Sequence, residues 1–133
     1  MNNPRVIFNT LLALAFVFQL LIDVGGFLGW YYSQYSEKVF EFAGFGALLP
    51  LPIWFSAYLL WILIYNISIA LMFMQSNFAK YFVFTSLAIS CGLSYVTGIA
   101  VVTPIELFLG WVGWSTYMAA CTIFFVSNVL KNA

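Results

Sequence analysis

The sequence predicts an all-α integral membrane protein, a four-transmembrane-helix antiparallel up-down bundle with a short interfacial segment between helices 1 and 2. Three observations predict it. Hydrophobic residues make up 65% of the chain and charged residues 6%, against roughly 45–50% and about 25% in soluble domains. The apolar residues fall into four long runs, and about 20 such residues cross roughly 30 Å of hydrocarbon. The charged residues Arg5, Glu37, Lys38, Glu41, Lys80, Glu106 and Lys131 stand at or near the ends of those runs, whereas Asp23 sits well inside one. A chain of 133 residues is expected to form one membrane domain, 1–133.

The first span is expected over about 6–30. Arg5 supplies a minimal basic flank, but the apolar run is too long for a signal-peptide core. It therefore reads as an uncleaved span. The connection that follows carries Trp30, Tyr31, Tyr32 and Tyr35, an aromatic cluster of the kind that settles at headgroup level. Ser36 and Glu37 can open a short helix that lays Val39, Phe40 and Phe42 along the interface before Gly44 and Gly46.

Pro50 and Pro52 mark entry into the second span, about 51–74. Gln75-Ser76-Asn77 forms a tight break, with Asn77 as the expected N-cap of a third span over about 78–102. Thr103-Pro104-Ile105-Glu106 reads as a helix start, with Thr at the N-cap, Pro at N1 and Glu at N3. The fourth span follows over about 104–129. Short connections join neighbours antiparallel. Arg5, Lys80 and Lys131 then lie on one side and Lys38 on the other. The positive-inside rule places both termini and the 75–77 turn in the cytoplasm of a cytoplasmic, inner-membrane protein.

Composition also narrows the chemistry. Formal net charge is zero, so no basic field exists to hold nucleic acid. Histidine is absent, which removes imidazole ligation of haem, the usual catalytic zinc sites and His-based proton transfer. Cys91 and Cys121 are isolated in apolar runs and read as small hydrophobes. No nucleophile–base pair is evident. The expectation is a non-enzyme with no catalytic residue, no metal and no cofactor.

Two constellations stand out. On the first span Asn9, Gln19 and Asp23 share a stripe. An ionised carboxylate at a membrane centre costs at least ~2.5–3.5 kcal/mol, so Asp23 should face the bundle. It either makes an interhelical hydrogen bond or serves as a proton- or cation-coupled carboxylate. Glu106 lies toward the same outer half; its bland reading is the capping box, and a paired Asp23–Glu106 site is the alternative. The second constellation joins two helices. Trp54, Tyr58, Trp61 and Tyr65 recur on one face of the second span, and Ser86, Ser90, Ser94 and Gly98 recur every four residues on the third. In an antiparallel hairpin Trp54 is expected to meet Gly98, Tyr58 Ser94, Trp61 Ser90 or Cys91, and Tyr65 Ser86. Large rings against a groove of small residues suit close packing in lipid; a site for a quinone, lipid or other flat apolar ligand is the alternative.

The expected function is that of a small polytopic, non-enzymatic accessory or interaction subunit of a membrane complex. Its partners are the lipid bilayer and another membrane protein or further copies of the chain. One alternative is an oligomeric small-molecule or ion transporter with Asp23 as the coupling carboxylate. The other is a binder of an apolar ligand at the Trp54–Tyr65 face.

Overall fold

The computed structural model describes residues 4–28, 51–96 and 104–132. The expected interfacial segment and Gly98 lie outside the described residues, as do the side chains of Trp54 and Glu106. Among the described residues the chain is all-helical: α1 spans Pro4–Phe27, α2 Leu51–Phe73, α3 Ala79–Val96 and α4 Pro104–Asn132. Each of the four is long and apolar enough to cross a membrane. Proline stands at the first helical position of α1 and α4, where its missing N–H is no loss and its fixed φ suits the helix.

The α2–α3 turn shows how sharply the chain can reverse. Ser76 N–H donates to the Leu71 carbonyl at 2.9 Å and Gln75 N–H to the Met72 carbonyl at 3.0 Å. These are the paired bonds of a Schellman ending. The motif needs a left-handed residue, and Gln75 takes that position with φ 53°. The cap of α3 differs from expectation. Ser76, rather than Asn77, accepts the Phe78 N–H on its side chain at 3.3 Å, and its carbonyl accepts the Ala79 N–H at 3.1 Å. The αL residue at position 75 brings Ser76 round to face the first free N–H groups of α3, so the hydroxyl one residue earlier does the capping.

α1 packs chiefly on α4, and α2 chiefly on α3, with a lighter α1–α2 contact. Phe8 of α1 stacks on Phe124 of α4 with ring centroids 6.4 Å apart. Toward the other end of α1, a Cβ at Gly113 would lie 3.2 Å from the Cβ of Phe18. The inner stripe of α1 is Phe8, Leu12, Ala15 and Gln19; α4 supplies Tyr117, Ala120, Cys121 and Phe124. These positions step by three and four residues, the spacing that keeps one helix face inward. The outward faces carry Val6, Phe16, Leu20, Leu63, Phe84, Phe108 and Val126, all exposed.

The small-residue stripe of α3 does not stay opposite α2 along its length. Its buried positions are Ala79, Val83 and Ser86; Ser90 is half-buried and Ser94 exposed. The reason is rotational. Four residues advance a helix by about 400°, so each step of four drifts roughly 40° round the axis. Ser94 therefore stands well round the helix from Ser86. It turns its hydroxyl back to the Ser90 carbonyl at 2.8 Å. Tyr58, Trp61 and Tyr65 escape this drift because their steps alternate three and four.

Candidate functional site

The polar and aromatic interior is built mainly by α1, α2 and α4. Asp23 is half-buried on α1. Its Oδ1 accepts two hydrogen bonds, one from Gln19 Nε2 at 2.9 Å and one from the Tyr58 hydroxyl of α2 at 2.8 Å. Gln19 lies one turn away on the same face, the spacing at which side chains on a helix meet. The result is a clasp between α1 and α2 centred on a single carboxyl oxygen. Lower on the same two helices the Tyr65 hydroxyl reaches the Ala15 carbonyl at 3.5 Å.

Sequence reasoning placed Tyr58, Trp61 and Tyr65 against the serines of α3. In the structure the Tyr58 hydroxyl turns to α1, and the rings of Trp61 and Tyr65 meet α4. Trp61 stacks on Trp114 with centroids 6.1 Å apart, and Tyr65 lies 4.6 Å from Tyr117. Tyr58 and Trp61 stack at 5.6 Å. The physical preference is clear: a carboxyl offers a phenol a stronger bond than a serine does, and offset rings gain about 0.5–1.5 kcal/mol on one another beyond area burial.

A second polar cluster lies at the level of Tyr117. Ser68 donates to the Tyr65 carbonyl at 2.7 Å and lies 2.8 Å from the Tyr117 hydroxyl. A serine hydroxyl has one hydrogen, so Tyr117 is the donor in the second bond. The Oγ of Ser86 on α3 is buried and unpartnered. Trp61 Nε1 is likewise buried and unpartnered. Asn66, the other polar residue in the middle of α2, returns to its own helix at the Ile62 carbonyl, 2.8 Å away.

The remaining sequence candidates separate from these clusters. Asn9 is half-buried and, by helical rise, about 20 Å along α1 from Asp23. Ser90 and Ser94 lie on the turning face of α3 described above. The aromatics of α4, Trp111, Trp114 and Tyr117, divide: Trp111 is exposed and Tyr117 fully buried. The signal that identifies the inner pair is their continuation at three- and four-residue steps into Ala120, Cys121 and Phe124. Among the described residues, no three His, Cys, Asp or Glu side chains stand together as a metal-binding group.

Comparisons with protein-family models, with curated proteins and with solved structures found no match.

Proposed function

We propose that this chain is a multi-pass protein of the cytoplasmic membrane, with both termini in the cytoplasm, acting as a non-enzymatic interaction subunit that docks a helix of a partner membrane protein. Four helices of spanning length and apolar outward faces support the membrane reading. An antiparallel up-down order is supported by contacts that run in opposite senses. Residue 8 meets 124 while 18 meets 113, and 15 meets 65 while 23 meets 58. The short Schellman turn supplies the same sense for α2 and α3.

The observation that carries the interaction reading is the outward face of α3. Tyr81, Phe84, Ala88, Cys91, Gly92 and Tyr95 follow one another at helical steps, and all are exposed. Large side chains stand at both ends of this stripe, with Tyr95 81% exposed, and small ones form a waist between them. A Cβ at Gly92 would meet nothing within 4 Å, so the fold of the isolated chain makes no use of the missing side chain. Helices in lipid associate through such close approaches, because the apolar solvent gives little drive of its own. The rings of α2, in contrast, are engaged with Trp114 and Tyr117, which supports packing over ligand binding at that face.

The test is purification from native membranes in mild detergent, with and without Gly92→Leu. We expect a partner membrane protein at fixed stoichiometry with wild type, lost in the variant, while the isolated variant melts as wild type does. A partner that stays bound to Gly92→Leu, or a wild-type chain that runs alone, overturns the assignment.

A further inference from the structure

Asp23 has a feature that the α3 docking surface does not use. Both of its hydrogen bonds fall on Oδ1. Among the described residues Oδ2 has no hydrogen-bond partner, and the sealed, unpartnered polar atoms are Trp61 Nε1 and Ser86 Oγ, not Oδ2. One oxygen of the carboxyl therefore accepts twice, and the other makes no hydrogen bond among the described residues. The clasp itself needs only an acceptor at Oδ1. An asparagine supplies that acceptor with the same shape; what aspartate adds is a second oxygen that can carry a proton.

We propose that Asp23 is a proton-binding site, taking up and releasing a proton at Oδ2 while Oδ1 keeps α1 and α2 clasped. On uptake, a proton from solvent adds to Oδ2 and the carboxylate becomes a neutral acid. No bond within the clasp breaks, because the carbonyl-type Oδ1 of the acid still accepts from Gln19 and Tyr58. The protein gains one positive unit of charge at the α1–α2 junction.

The surroundings suit that exchange. The titratable groups of α2 on the side of Asp23 are Tyr58, which bonds it, and Tyr65, two turns further along the same face. From α1 the neighbour is the neutral Gln19. On α4 the level opposite Asp23 lies near Phe108, within a turn of Glu106, whose side chain is outside the described residues. Among the described residues no cation pairs with the carboxyl. An intramembrane acid without a counter-ion is costly unless it titrates.

Trp61 stacks on Tyr58 and stands one turn further along α2, at the level of Gln19. Its N–H is buried and without an acceptor, so it takes no part in the clasp.

The experiment is infrared spectroscopy of the full chain in lipid, titrated from mildly acidic to mildly alkaline buffer in H2O and in D2O. We expect one carboxylic-acid C=O band that disappears as pH rises, shifts in D2O and is missing from Asp23→Asn. That variant should retain the clasp and the wild-type melting temperature. Tyr58→Phe provides the independent reading: it keeps the carboxyl, removes one donor from Oδ1, and should move the band to higher frequency. The proposal is overturned if no titrating band is lost in Asp23→Asn, or if Asp23 stays in one protonation state throughout. Where Asp23→Asn yields no folded protein, Tyr58→Phe decides: a displaced, titrating band supports the site, and an unmoved or absent band overturns it.

Discussion

Gly113 and Gly92 are both helical glycines in apolar segments, yet the structure uses them in opposite ways. Gly113 lies in the α1–α4 seam, where an added Cβ would sit 3.2 Å from the Cβ of Phe18. At Gly92 the space is open, on the exposed waist of α3. The first glycine completes the fold of this chain, and the second leaves a surface available to something else. The contrast teaches that a small residue in an apolar helix marks close approach without naming the partner; only the neighbouring atoms say whether that partner is internal.

Four substitutions break or sharpen this contrast, and all are read by thermal unfolding in detergent. Gly113→Leu has the largest expected effect. The backbone of Phe18 cannot retreat as a flexible side chain would, so overpacking should cost about 3 kcal/mol or abolish folding. A variant as stable as wild type refutes the close α1–α4 seam. Tyr117→Phe comes next. It removes the donor to Ser68 while leaving the ring packed on Tyr65, and should cost about 0.6–2 kcal/mol, the range for interhelical hydrogen bonds in apolar surroundings. A loss well above this range would mean that the hydroxyl supports more than one bond.

Gly92→Leu is the counterpart of Gly113→Leu. The isolated chain should be unchanged or stabilised by up to ~0.8 kcal/mol, because leucine is the better helix former. Destabilisation comparable to that of Gly113→Leu would show that the two glycines are alike after all. Gln75→Gly belongs to neither face and has the smallest effect. Relief of a left-handed Cβ, worth about 1 kcal/mol, is offset by about 0.4–1 kcal/mol of added freedom in the unfolded chain. A net gain of a few tenths is expected, and a clear loss would contradict the αL geometry of the turn.

Much of this architecture can be read along the chain. Helix starts at Pro104 and near Leu51, the break at residues 75–77 and the aromatic face of α2 follow from local rules that operate over a few residues. The partners of that face do not. Tyr58 meets Asp23, thirty-five positions away, and Tyr65 meets Tyr117 on α4. Nothing in a run of residues distinguishes a serine groove from a ring of aromatics as the neighbour. The serine stripe misled for a related reason: its regular spacing looks like a face, but the accumulated rotation carries Ser94 out to the surface.

The sequence by itself determined that four apolar helices form, that the chain breaks at residues 75–77, and that Asp23 lies within one of the helices. These are consequences of transfer energies, backbone geometry and capping, all set by near neighbours in the chain. The tertiary structure decided that Oδ1 of Asp23 is held by both Gln19 and Tyr58, that Gly113 is filled against Phe18, and that Gly92 faces outward. Each depends on which side of one helix meets which side of another, and in a chain with so few polar residues that choice rests on side-chain shape and a handful of hydrogen bonds rather than on any pattern along the sequence.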